Sequence, residues 1–196
     1  MRCAGWFAFI PARYTGEWSV LPGGLGADIW TFVTYALLHG STMHIIITNA
    51  VWMLAFGSAV ARRFGTARFL LFSALAAAGG AAVHLAFHPG EAVPVVGASA
   101  AIAGQMAGAA RFVFDPNGPL VFRSTSDTFY RRRRRASSAR SPTRRRWSSS
   151  SSSLSSIWAS ASARHVGEVM PIAWEAHIGG FLTGLFTFRL FDSVRR

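Results

Sequence analysis

The stretch TARFLLFSALAAAGGAAVHLAF, residues 66–87, decides the fold class. Only Arg68 and His84 in it can carry a charge. A helix that crosses the hydrocarbon core of a bilayer needs about 20 consecutive, predominantly apolar residues. The stretch therefore predicts a transmembrane helix.

Three further apolar blocks lie at residues 29–60 (interrupted near His39), 93–114 and 169–191. The alternative to a membrane protein is a soluble bundle with a buried helical core. Helices of such a core carry a polar face, which these blocks lack. The four blocks predict an all-α, polytopic transmembrane helical bundle.

The net charge of +12 comes from arginine without any lysine, and most of it lies in one place. Residues 123–164 contain eleven arginines and a single acid, Asp127. Because this charge forms a local run and not a folded basic face, no nucleic-acid partner is expected. Anionic lipid headgroups remain an alternative partner of the run, since it follows an apolar block directly.

The arginines also predict the orientation of the blocks. Arg62, Arg63 and Arg68 cluster where the block 29–60 is linked to the stretch 66–87, which places that link in the cytoplasm by the positive-inside rule. The link at 88–93 is then outside, and Ser99 lies near the outer end of its helix. The basic ending at 193–196 favours an inside terminus. We expect a multi-pass protein of a bacterial inner membrane.

Two residues in these blocks have the chemistry of a hydrolase. Ser99 lies in VVGASAAIAG (95–104), and His177 lies close to the start of the last block, at the depth expected for Ser99. A serine among small residues is commonly a packing residue, but a histidine can take its proton and make it a nucleophile. Glycines spaced four apart in both blocks (Gly104, Gly108, Gly180 and Gly184) predict a close approach of the two helices.

The ordered motifs HGSTMH…N, GASA and AHIGG resemble those of the rhomboid family of intramembrane serine proteases. The resemblance implies a core of six transmembrane helices and substrates that are transmembrane segments of other proteins. By resemblance, Ser99 is the nucleophile and His177 the general base. His44 and Asn49 form the oxyanion hole with the Ser99 backbone N–H, and His39 is a structural member of the first motif. No cofactor and no metal are expected, and His84, His88 and His165 receive no role.

The sequence departs from the family pattern at four places. Ala100 stands where the family has glycine after the nucleophile, and the first helix is reduced to a stub. His44 and Asn49 are five residues apart and not four, which on an α-helix turns Asn49 about 140° away from His44 unless a π-bulge absorbs the extra residue. The fourth departure is an Arg/Ser-rich segment in place of the fifth helix.

We therefore divide the chain into three parts: residues 1–122 as the first part of the membrane domain, 123–168 as a low-complexity segment, and 169–196 with the last transmembrane helix. The composition of 123–168 is typical of disorder. Loss of a crossing at this point predicts impaired activity. The competing function is a non-catalytic relative that binds transmembrane segments without cutting them.

The segment 123–168 also has the composition of an apolar helix translated out of frame. In a GC-rich gene many codons for apolar residues end in TC, and a shift of one nucleotide turns them into serine codons. We predict that one alternative frame of the coding DNA across 123–168 encodes an apolar span of about 20 residues. Sequencing this DNA is the measurement, and polar translations in both other frames would disprove the frameshift.

Overall fold

The computed structural model describes residues 2–15, 21–112, 130 and 173–192, and these residues form helices and connecting segments without a β-strand. The helices are α1 (Arg2–Phe7), a 3₁₀ turn (Pro11–Tyr14), α2 (Gly24–Thr34), a 3₁₀ turn (Tyr35–Leu37), π1 (His44–Ala50), π2 (Met53–Gly57), α3 (Ser58–Phe64), α4 (Thr66–Phe87), α5 (Ser99–Ala110) and α6 (Trp174–Phe191).

The chain divides into two units, Met1–Arg133 with Glu175–Arg196, and Arg134–Trp174. The first unit contains α1 to α5, π1 and π2, and α6 from Glu175 onward. Nearly all of 123–168 lies outside the described residues, so the frameshift and the three-part division stay predictions.

Helix α4 is the predicted membrane helix of the opening stretch. Among the described residues it is the one helix that is long and apolar enough to cross a bilayer, with 33% of its most apolar window buried in the protein. Leu70, Leu71 and Leu75 lie on its exposed side. Exposed leucines on a helix of this length fit a hydrocarbon environment.

The block 29–60 is interrupted where the sequence predicts it. Leu38 is extended, with φ −92° and ψ 147°, and ends the 3₁₀ turn after α2. The chain then becomes helical again and runs through π1 and π2 into α3. The break near His39 is thus confirmed, and the second half of the block contains two widened turns.

The block 93–114 differs from the expected continuous helix, because α5 begins only at Ser99. Gly97 has φ +121°, a conformation outside the helical region that glycine adopts without a steric penalty. Upstream, Val95 forms an antiparallel bridge with Phe9, in which the Val95 N–H donates to the Phe9 carbonyl at 2.8 Å. The link before α5 is therefore an ordered extended segment.

Glycines let α4, α5 and α6 approach each other to backbone contact. A Cβ atom added at Gly180 would collide with the Ala100 carbonyl, and one at Gly184 would collide with the Gly104 backbone. On the other side of α5, a Cβ at Gly104 would collide with the Ala76 side chain. The close approach predicted from the glycine spacing is confirmed.

The same contacts fix the directions of the helices. Gly180 of α6 contacts residue 100 of α5, and Gly184 contacts residue 104. The contacts advance in the same direction along both helices, so the two helices are parallel. Glu175, at the start of α6, contacts His88, at the end of α4, which makes α6 antiparallel to α4. Since α5 and α6 are parallel, their first residues, and with them Ser99 and His177, lie at the same end of the bundle.

A buried ion pair holds the opposite end of α6. Arg63 donates from Nε and Nη2 to the two carboxylate oxygens of Asp192 at 3.0 and 2.9 Å. The Arg63 guanidinium also lies 4.7 Å from the centre of the Phe112 ring. Arg63 is therefore buried and paired, although the orientation rule treats it simply as a loop cation. Removal of one partner of such a pair leaves an uncompensated buried charge.

We predict that Gly184→Ala lowers the free energy of unfolding by about 1–3 kcal/mol, because the new methyl group meets the Gly104 backbone, which cannot rotate away. Thermal or denaturant unfolding of the protein in detergent measures the change. Leu182→Ala, at an exposed position of the same helix, is the control. Equal stability of Gly184→Ala and the unsubstituted chain would contradict the packing described.

Candidate active site

Ser99 and His177 come together at the centre of the site. The His177 Nε2 atom lies 2.7 Å from the Ser99 Oγ atom, at hydrogen-bond distance. Ser99 is the first residue of α5, and His177 lies in the first turn of α6. Both residues are half-buried. The distance matches that of a serine whose proton a histidine can accept.

The segment before Ser99 is fixed by backbone hydrogen bonds. The Gly97 N–H donates to the Tyr35 carbonyl at 3.0 Å. Tyr35 is itself buried, and its hydroxyl donates to the Ala77 carbonyl of α4 at 2.9 Å. Tyr35 therefore links the segment that precedes Ser99 to α4, through its carbonyl on one side and its hydroxyl on the other. The sequence does not indicate this role, because Tyr35 is one tyrosine within an apolar block and belongs to no motif.

The start of α5 offers free backbone donors beside Ser99. The first intrahelical bond of this helix runs from the Ile102 N–H to the Ala98 carbonyl at 3.0 Å. Earlier N–H groups at a helix start have no acceptor within the helix. The N-cap residue Ala98 contributes no capping side chain. Backbone N–H groups of this kind can stabilise a negative oxygen next to the Ser99 Oγ atom.

His44 lies against the turn that precedes Ser99. A Cβ atom on Gly97 would be 2.8 Å from the His44 Cε1 atom and 3.0 Å from Nε2. The His39 ring stands edge-on to the His44 ring, with 5.4 Å between their centres. The structure thus brings His44 against Gly97, two residues before Ser99, and His39 contacts the His44 ring.

Asn49 is brought back to His44 by the π1 helix. A π turn closes i→i+5 hydrogen bonds, so residues five apart lie about one turn apart. The buried Asn49 side chain donates from Nδ2 to the His44 carbonyl at 2.9 Å. The extra residue between the two is absorbed, and the 140° displacement expected of an α-helix does not occur.

Ala100 is accommodated by a glycine on the neighbouring helix. A Cβ atom on Gly80 of α4 would lie 2.7 Å from the Ala100 Cβ atom. Since Ala100 is helical and 1% exposed, its methyl group fills the space that Gly80 leaves open. The substitution after the nucleophile is therefore compatible with the packing of α5.

A second polar group, which sequence reasoning missed, lies beside the dyad. His84, on the last turn of α4, and His88, which follows this helix directly, both approach the Glu175 carboxylate of α6. Their i, i+4 spacing was the available signal. Their acidic partner is 87 residues from His88, and nothing local in the sequence indicates it. His165 lies outside the described residues.

The charge of His88 is favoured by its neighbours. Its Nε2 atom lies 3.0 Å from Glu175 Oε1, and its Nδ1 atom lies 3.1 Å from Glu91 Oε2. The hydrogen bond with Glu175, together with the negative charge of both carboxylates, raises the pKa of His88 above its ordinary value. The contact between His88 and Glu175 therefore ties the end of α4 to the start of α6.

Comparison with known families gives a match to the family model described as Rhomboid domain, over residues 26–125. The matched region includes Ser99, His39, His44 and Asn49, and it ends before His177. The search of curated proteins gives no match.

We predict that Asn49→Ala lowers the free energy of unfolding by about 1–3 kcal/mol, because the His44 carbonyl loses its Asn49 donor inside the bundle. Denaturant unfolding in detergent measures the loss. Ile46→Ala, at a half-exposed position of the same helix, is the control. A loss no larger than that of the control would show that this hydrogen bond does not stabilise π1.

Proposed function

The chain belongs to the rhomboid family, and on this premise we propose that it is an intramembrane serine endopeptidase with Ser99 and His177 as its catalytic dyad. The family consists of integral membrane proteins, typically proteases that act on membrane-protein substrates, together with inactive homologues. The observation that carries the proposal is the 2.7 Å distance between Ser99 Oγ and His177 Nε2.

The first step is proton transfer from the Ser99 hydroxyl to His177. As the proton moves to Nε2, the Ser99 oxygen forms a bond to the carbonyl carbon of the substrate peptide. The carbonyl π electrons move to its oxygen, which becomes a tetrahedral oxyanion. The imidazole has to be neutral to accept the proton, so the reaction requires a pH above the pKa of His177.

The oxyanion is stabilised by donors around the start of α5. The Ser99 backbone N–H lies at the uncapped end of that helix, and the His44 ring lies against Gly97 two residues earlier. We assign Asn49 to the same set of oxyanion donors. Its Nδ2 atom also donates to the His44 carbonyl within π1. Loss of one such donor typically lowers kcat by about 10²–10³-fold.

Collapse of the tetrahedral intermediate breaks the peptide C–N bond. The His177 imidazolium returns its proton to the leaving nitrogen, and the new amine terminus departs. A water molecule then gives a proton to His177 as its oxygen attacks the acyl carbon. The second tetrahedral intermediate then collapses: the bond between the acyl carbon and Ser99 Oγ breaks, and the His177 imidazolium returns its proton to Oγ, which releases the carboxyl product.

The substrates that we propose are transmembrane segments of other membrane proteins. The site lies at the end of the bundle that the positive-inside rule places outside, in a multi-pass protein of a bacterial inner membrane. An unwound peptide bond has to reach Ser99, so a segment with helix-destabilising residues near its outer end is the expected target. The Arg/Ser-rich segment at 123–168 leads us to expect impaired turnover.

We predict that a fluorophosphonate probe labels Ser99, because labelling requires an activated serine and not a bound transmembrane substrate. Ser99→Ala should abolish labelling of the purified chain. His177→Ala should reduce the labelling rate by at least about 10³-fold, the order of loss seen when a catalytic base is removed. Ser58→Ala, at an exposed serine, and His165→Ala are the matched controls.

Cleavage of a model transmembrane substrate, followed by gel electrophoresis, extends this test to the natural bond type. Cleavage that is lost in Ser99→Ala and kept in Ser58→Ala supports the protease. Binding of that substrate by a chain that neither cleaves it nor reacts with the probe would establish the non-catalytic relative instead.

A further inference from the structure

We propose that His84, His88 and Glu175 form a binding site for a divalent transition-metal ion, with Zn²⁺ as the ion that fits best. The three residues lie where the end of α4 meets the start of α6. This site is separate from the Ser99–His177 dyad and independent of the protease proposal. It also differs from our expectation from sequence, which included no metal.

The spacing of the ligand atoms suits a tetrahedral ion. One donor atom from each residue can be chosen so that all three lie within 4.8 Å of one another. Glu175 Oε1 is 3.0 Å from His88 Nε2, and Glu175 Oε2 is 3.7 Å from His84 Nδ1. Ligands of tetrahedral Zn²⁺ are separated by about 3.4 Å, given metal–ligand distances near 2.1 Å. The site therefore needs only small side-chain rotations to close around an ion.

The burial of His84 is the second observation that points to a ligand. Its side chain is 7% exposed, and the Nδ1 atom is buried without a hydrogen-bond partner among the described residues. A buried ring nitrogen of this kind is costly unless something binds it. His84 Nδ1 faces Glu175 Oε2 at 3.7 Å, and a metal ion bound to both atoms would give each of them a partner.

The arrangement also has the outer partner that zinc-binding histidines use. His88 Nδ1 lies 3.1 Å from Glu91 Oε2, so the ring can donate to Glu91 while Nε2 binds the ion. Such a carboxylate fixes the ring orientation and raises the basicity of the ligand nitrogen. His88 is 37% exposed, which leaves a path from solvent and an open fourth position for water.

The ligand set favours Zn²⁺ over the hard cations. Two imidazole nitrogens and one carboxylate are typical of zinc sites, whereas Mg²⁺ and Ca²⁺ take mainly oxygen ligands. The bound ion would join α4 to α6 two residues before His177. It would thereby stabilise the packed state, because it binds the folded chain and not the separated helices.

The experiment is equilibrium binding of Zn²⁺ to the full purified chain in detergent, with Co²⁺ absorption as a report of tetrahedral geometry. We expect one tightly bound equivalent in the unsubstituted chain, in Ser99→Ala and in His165→Ala. His88→Asn, at a half-exposed position, should weaken binding at least 10-fold. Glu91→Gln should weaken binding by about 10–100-fold while leaving all three ligands in place.

The same samples report folding, because their thermal unfolding is measured with and without Zn²⁺. A rise in Tm on Zn²⁺ addition that is lost in His88→Asn supports the site, provided that this variant melts cooperatively without metal. If His88→Asn does not fold, Glu91→Gln decides. Unchanged affinity in the decisive variant, or no bound equivalent in the unsubstituted chain, would overturn the proposal. Because Ser99→Ala is among the samples, this outcome does not depend on proteolysis.

Discussion

The contact on which the site depends is the approach of two helix backbones, α5 and α6. Gly180 lies directly against the Ala100 carbonyl, and Gly184 lies against Gly104. Association of helices in lipid relies on such packing, since the bilayer removes the hydrophobic gain that drives helices together in water. With the backbones this close, the first turns of both helices lie side by side. Ser99 and His177 then meet at 2.7 Å without any other residue between them.

The widened turns after His39 show how the fold accommodates an insertion. An additional residue in an α-helix rotates everything beyond it by about 100°. Here π1 takes up the residue locally, and the Asn49 side chain bonds to the His44 carbonyl across the widened turn. His44 consequently keeps its place against Gly97. Helix α4, packed against α5, makes a similar accommodation, since Gly80 leaves room for the Ala100 methyl group.

How far the sequence predicts this protein depends on whether a feature is local. The apolar stretch 66–87 indicates α4 almost to the residue, because length and hydropathy act within one segment. The glycine spacing indicates the α5–α6 contact for the same reason. The sequence did not predict that α5 begins at Ser99. The residues before it are held in an extended conformation by the bridge between Val95 and Phe9, and Phe9 is distant in the sequence. The association of His84 and His88 with Glu175, and of Arg63 with Asp192, likewise joins residues far apart in the chain.

Helix α6 is held by polar contacts at both ends, to His88 through Glu175 and to Arg63 through Asp192. These anchors are 17 residues apart, or about 26 Å along the axis, which is close to the hydrocarbon thickness of a bilayer. A helix pinned at both ends cannot tilt by itself to match a thicker or thinner membrane. Any change of tilt in a thicker or thinner membrane must therefore be made by α6 together with the helices that hold it, so the His177 side chain keeps its position relative to Ser99.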